Sequence, residues 1–181
     1  MRRWAQEFVG LSADKLLRLD GNDEMIDIQE EFEVAASPDS VWAVISNPYE
    51  VVGCVPGAAL IGQKDDGTYE GSIGIKFGPT SITFQTVVAL ELNQAAREGR
   101  ITSQSRDKRG GTRSKATTAF SVTPGLEGAG SKVSMQSSVE ISGPLAGMVE
   151  SGATFVVKRL VTEFAKRLAE KCGSPAQGEH A

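Results

Sequence analysis

Residues 142–173 read SGPLAGMVESGATFVVKRLVTEFAKRLAEKCG. Leu145, Val149, Val156, Leu160, Phe164 and Leu168 recur at the spacing of one helical face, so this stretch reads as a single long amphipathic helix. Ser142 or Gly143 suits the cap, Pro144 the first turn, and Gly173 the position just past the end. At 1.5 Å per residue such a helix spans roughly 40 Å. Its first half is thin, with Gly143, Ala146, Gly147, Gly152 and Ala153. A lone late helix must bury its stripe against something, and only the chain upstream can supply that surface.

Upstream, residues 58–142 alternate like strands. AALIGQ and YEGSIGIKF flank KDDG, a hairpin turn signal. In SITFQTVVALEL, the residues Ile82, Phe84, Val88, Leu90 and Leu92 share a face. RITSQSR and SKATTAFSVTP flank the charged turn DKRGGTR, and SKVSMQSSVEIS puts Val133, Met135, Val139 and Ile141 on one side. Hairpin follows hairpin on short turns, which makes the sheet antiparallel.

Further back, MIDIQEEFEVAA is a half-buried strand with Ile26, Ile28, Phe32 and Val34 on one face. Glu30 interrupts that face. A bulge or strand end is the ordinary cause, and a carboxylate lining a cavity is the rarer one. Ser37-Pro38 then opens a short helix that buries Val41, Trp42 and Ile45 and stops at Asn47-Pro48. YEVVGCV makes a second short helix or turn, closed by Pro56-Gly57. The expected fold is therefore α+β: a curved antiparallel sheet of about six to seven strands wrapped on a long C-terminal helix, with two short helices after the first strand. The small residues of the helix place a cavity at its N-terminal half, beside EVVGCVPG. Residues 25–173 form the domain. Residues 1–24 read as an extension, with an amphipathic stripe through Trp4, Phe8 and Leu11, and residues 174–181 as a disordered tail.

The chain has 181 residues, ordinary apolar and charged fractions of 40% and 23%, and a net charge of -4, which does not fit a nucleic-acid binder. No apolar run is long enough to cross a membrane, and Gln6 and Glu7 interrupt any signal-like stretch. A cytoplasmic location, in a reducing compartment, is expected. The sole histidine is His180, so a Ser-His-Asp triad, a Cys-His pair and a two-His iron site all fail for want of ligands or bases, and no metal site is expected. Cys54 stands among Val51, Val52 and Val55, an environment that disfavours a thiolate; it and Cys172 read as packed thiols. No cofactor is expected.

Charge is uneven along the chain. Residues 97–115, REGRITSQSRDKRGGTRSK, hold seven basic residues against two acidic ones, a local +5 that leaves -9 elsewhere. Arg106, Lys108, Arg109, Arg113 and Lys115 surround one turn. They are either a solvated hairpin tip or a contact for an anionic membrane or an acidic partner.

Three stretches together resemble the carbon monoxide dehydrogenase CoxG family of the START-like helix-grip (SRPBCC) superfamily. They are VWAVISNPYEVVGCVPGAAL, with its Trp-bearing helix, Asn-Pro and Cys-x-Pro-Gly; DGTYEGSIGIKFGPTSITFQTVVAL; and ISGPLAGMVESGATFVVKRLVTEF. The resemblance covers about residues 25–172. It implies a non-catalytic accessory to a molybdenum-containing CO dehydrogenase-type hydroxylase. Such a protein helps the enzyme engage the membrane or its quinone and holds a lipophilic ligand, a quinone or a lipid. With no hydrophobic segment after residue 172, any membrane role is peripheral, at the inner face of the plasma membrane. The expected pocket wall comprises Val55, Pro56, Phe77, Phe84 and Phe120 from the sheet side. Met135, Met148, Gly152 and Phe155 complete it, aromatics and methionines suiting an adaptable apolar pocket. Two rivals stand: a START-like enzyme, a cyclase or hydrolase, with Glu30 as its hint, and a purely structural assembly factor with a filled core.

Overall fold

Ile26, Ile28, Phe32 and Val34 alternate with Asp27, Gln29, Glu31 and Glu33, and this two-residue period builds β1 (Asp23–Val34). The structure, a computed structural model, describes residues 23–77, 79–109, 111–125, 130–144 and 146–173, with side chains described except at 23, 24, 77, 80 and 147–155. The expected N-terminal extension and most of the expected tail lie outside the described residues.

After β1 the Ser37 hydroxyl accepts a hydrogen bond from the Ser40 amide (3.2 Å) and starts α1 (Pro38–Ile45), which buries Val41, Trp42 and Ile45. The Asn47 side chain accepts from the Tyr49 amide (3.0 Å) and starts α2 (Pro48–Val51), which runs into a 3-10 turn at Val52–Cys54. Six strands follow: β2 (Ala58–Gln63), β3 (Tyr69–Phe77), β4 (Thr80–Asn93), β5 (Glu98–Asp107), β6 (Arg113–Pro124) and β7 (Ser131–Ser142). The chain ends its described course in α3 (Ala146–Gly173).

The sheet has seven strands in the order β1-β7-β6-β5-β4-β3-β2, every neighbouring pair antiparallel. The first strand thus lies beside the last, and β1 and β2 are the edges. One face carries the core. Val34, Phe120, Val122 and Val133 from the sheet, Val41, Trp42 and Ile45 from α1, Cys54, and Phe164 and Leu168 from α3 form a single buried cluster. The Phe32 and Phe164 rings meet edge to face at 6.0 Å, and Trp42 lies 6.0 Å from Phe120. Gly99, opposite Phe120 in the ladder, is required there: a Cβ would run into the Phe120 ring. Full burial of Leu168 contributes about 2 kcal/mol relative to exposure.

Two local expectations are overturned. Glu30 sits at neither a bulge nor a strand end: β1 pairs with β7 without a break from Asp23–Ser142 to Val34–Ser131, and the described register shift is in β2, between Leu60 and Gly62. Neither Ser142 nor Gly143 caps the long helix. β7 runs on through Ser142, Gly143 turns at φ +105 where a Cβ would strike the Gly111 carbonyl, and the Ala146 amide bonds to the Gly143 carbonyl (3.0 Å) as α3 begins. Pro144 precedes the helix, because the β5–β6 hairpin packs against this corner and fixes the turn there.

Candidate functional site

Antiparallel partners point to the same side of a sheet, so the ladder registers define the concave face row by row. Toward the C-terminal half of α3 the rows are Val34–Ser131, Phe32–Val133–Val122 and Glu30–Met135–Phe120–Gly99. Toward its N-terminal end they become Ile28–Ser137–Thr118–Ile101–Leu90 and Ile26–Val139–Ala116–Ser103–Val88. Beyond those come Ile141–Ser114–Ser105–Thr86. The first group is sealed by α1, the 3-10 turn and the C-terminal half of α3. In the second group Ile26, Ile28, Val88, Val139 and Ile141 face the same way yet are only half-buried. Two hydroxyl pairs lie among them: Thr118 Oγ1 with Ser137 Oγ (2.8 Å) and Ser105 Oγ donating to Thr86 Oγ1 (2.9 Å).

The helix is anchored at both ends of this face. Ala146 is buried beside the Gly143 turn, and Pro144 lies against Gly111 of the β5–β6 hairpin. At the other end Lys171 is ion-paired with Glu50 of α2 (2.7 Å), and Cys172 packs against the core cluster.

These anchors relocate one sequence element. The EVVGCVPG segment lies at the C-terminal end of α3, held by the Glu50–Lys171 bridge and with Gly53 near the Lys171 amine. The small residues around Gly152 are roughly 30 Å away along the helix axis. The segment therefore does not border the N-terminal half of the helix, and α2 with its 3-10 turn closes the filled end instead. Cys54 is 1% exposed there, and both cysteines are free. Burial pushes the Cys54 thiol up, with nearby Lys171 and Arg167 opposing. Burial also raises Cys172, which feels the charge of Cys54.

The residues expected to line a pocket fall into separate places. Phe120 is in the core against Trp42, and Val55 packs on that same cluster. Pro56 is half-buried after the 3-10 turn. Met135 stands on the concave face where the filled half gives way to the other. Phe84 is buried (8% exposed) far along β4, opposite Ile73 and Asp107. The side chains of Phe77, Met148 and Phe155 lie outside those described, as does anything beyond the helical placement of Gly152. Sequence reasoning passed over the inward hydroxyls, Ser137, Thr118, Ser105 and Thr86, because single polar residues in strands read as the solvent face until the register is known.

Arg106, Lys108, Arg109, Arg113 and Lys115 are all exposed on the β5–β6 hairpin, at the α3 N-terminal end. Arg106 and Arg113 stand directly opposite one another, and Lys115 is flanked by Gln104 and Glu140. Among the described residues none of the five has an ion-pair partner, whereas Arg97, from the same basic stretch, is paired with Asp39. Like charges directly opposite in a ladder are destabilising. Among the described residues no group of His, Cys, Asp or Glu is placed to hold a metal, and no helix is long and apolar enough to cross a membrane. A cleft of about 290 Å³ lies at the β4–β5 turn, lined by Glu91, Leu92, Asn93, Glu98, Gly99 and Arg100. That lining is mostly polar and charged, unsuited to a lipophilic molecule.

No curated protein sequence matches the chain. Among solved structures, a conserved protein from Geobacillus kaustophilus superposes with a TM-score of 0.71 at 16% identity, over 81% of this chain and 95% of that one. A START superfamily protein from Mycobacterium smegmatis gives 0.53 at 19% identity, over 80% and 97%. An aromatase/cyclase from Streptomyces gives 0.57 at 12% identity, over 86% and 99%. At these identities the likeness is one of fold, the START-like helix-grip. The sequence profile of the carbon monoxide dehydrogenase CoxG family matches residues 31–173, from mid-β1 to the end of α3, and the chain belongs to that family.

Proposed function

We propose that this protein is a non-catalytic carrier that holds a hydrophobic small molecule, a quinone or a lipid, between the concave face of its sheet and the N-terminal half of α3. The observation that carries the reading is the asymmetry of that face. One half is closed by Trp42, Phe120, Phe164 and Leu168, while Ile26, Ile28, Val88, Val139 and Ile141 of the other half face inward and stay half-exposed. Leaving inward apolar surface uncovered forgoes about 25 cal/mol per Å², and a lipophilic guest recovers it. Membership of the CO dehydrogenase CoxG family supports service to a molybdenum-containing hydroxylase of that type. The unpaired basic hairpin beside the start of α3 supports a peripheral contact with an anionic membrane.

A START-like enzyme is the rival from another class. It needs two acid–base groups within reach of one substrate. Of the ionisable groups described on the concave face of the sheet, Tyr69 stacks on Tyr49 and Asp107 accepts from the Gly111 amide (2.9 Å), which leaves Glu30 alone. The test is mass spectrometry of an organic extract of the native purified protein, with a pull-down of the hydroxylase alongside. A stoichiometric apolar molecule supports the carrier; its absence, with no uptake of any lipophilic probe, leaves a filled-core assembly factor.

A further inference from the structure

Glu30 faces inward from the middle of an unbroken ladder, opposite Met135 and between Ile28 and Phe32. It is half-buried and makes no hydrogen bond or ion pair with a described residue. Its neighbour Glu31, on the convex face, is fully engaged by Lys132 (2.7 Å) and Ser134 (2.9 Å). An inward carboxylate without a partner costs stability, and an apolar residue in its place would serve packing alone better.

Its surroundings supply a use. Ser137 is the diagonal neighbour of Glu30 on β7, and Ser137 shares a hydrogen bond with Thr118 on β6. Diagonal neighbours on adjacent strands are about 7–8 Å apart, within reach of a long side chain. Three strands thus bring a carboxylate and a hydroxyl pair to adjacent levels of one face, bordered by Ile28, Met135 and Ile101. This is the boundary where the filled half of the face ends. A carboxylate is an acceptor only, while the hydroxyl pair keeps lone pairs and one proton beyond its mutual bond.

We propose that Glu30, Ser137 and Thr118 form the polar subsite of the lipophilic cavity and select ligands whose polar end donates a hydrogen bond: an alcohol, a phenol or a hydroquinone hydroxyl. Ligands of the same skeleton that can only accept are disfavoured, because they leave the carboxylate desolvated and unpaired. The inference rests on the carrier reading and adds the chemical class of its cargo.

The test compares a pyrene-labelled long-chain alcohol with its methyl ether, which has the same tail but no donor. By fluorescence titration the wild type should bind the alcohol at least about tenfold more tightly than the ether, the scale of one hydrogen bond to a charged acceptor. Glu30→Leu should erase that preference while keeping ether affinity, and Glu30→Gln should shrink it to about threefold. The double change of Ser137→Ala and Thr118→Val, which leaves Glu30 in place, should weaken alcohol binding and spare ether binding. Melting curves identify any variant that has lost its fold. Equal binding of the two probes by the wild type, or a preference that survives Glu30→Leu, overturns the subsite and leaves the carrier standing. Failure of the wild type to bind either probe overturns both.

Discussion

Cys54 is 1% exposed, in the cluster with Trp42 and Leu168, and burial holds its thiol above the ordinary range. The valines on either side made this environment legible in the sequence. Its location was not, because nothing in EVVGCVPG says which end of a 28-residue helix it meets. Cys54→Ala should cost about 1 kcal/mol of stability and leave ligand affinity within a few-fold. The native thiol should resist iodoacetamide at neutral pH as followed by intact mass, and rapid alkylation with loss of binding would contradict a packed role. A folded-state value above the unfolded one gives stability that is present below about pH 8.5 and lost as pH rises through the folded value. Alkaline melting curves of wild type should therefore fall more steeply than those of Cys54→Ala. Glu30 teaches the opposite lesson at the same scale. Its anomaly was visible in the alternation, but the ordinary explanation for such a residue was wrong here, and only the pairing partner of each β1 residue decides that.

Each strand was legible because its period is two and one face is wet. The expected faces of β1, β4 and β7 match the registers, and the long stripe of α3 meets the core at Phe164 and Leu168. The start of α3 was misplaced because Ser-Gly-Pro is a good helix opener by composition, whereas tertiary packing of Gly143 on Gly111 claims those residues for a turn. The β5–β6 hairpin gathers its five basic residues as the sequence implied and adds what it did not, the direct Arg106–Arg113 opposition. Replacing Arg106, Lys108, Arg109 and Arg113 together by Gln should leave the melting temperature level or slightly raised, since like-charge strain is relieved. It should also weaken sedimentation with anionic vesicles while sparing neutral ones. Each basic residue near an anionic membrane is worth roughly 1 kcal/mol, and the attachment should fade as salt rises past the point where the Debye length is about 8 Å. Unchanged sedimentation would reduce the hairpin to a solvated tip.

For the molecule as a whole, the helix-grip follows from one fact of order: a late lone helix after consecutive hairpins has only the sheet to bury against. The pocket was less legible. Aromatic and methionine positions in strands do not reveal which row they occupy, so Phe120 and Val55, expected in the wall, stand in the filled half, while the inward hydroxyls went unread. Gly152→Leu, on the thin half of α3, should abolish uptake of a lipophilic fluorescent probe with the fold retained by circular dichroism, and binding equal to wild type would place the guest elsewhere. Photo-labelling of the native protein with a diazirine-bearing lipid analogue, followed by peptide mapping, locates the guest itself. Adducts should fall within residues 146–157 of α3 and on inward positions of β1, β7 and β4 such as Ile28, Val139 and Val88. Labelling confined to the β4–β5 cleft around residues 91–100, or scattered over the convex face, would rule out a guest held between the sheet and α3.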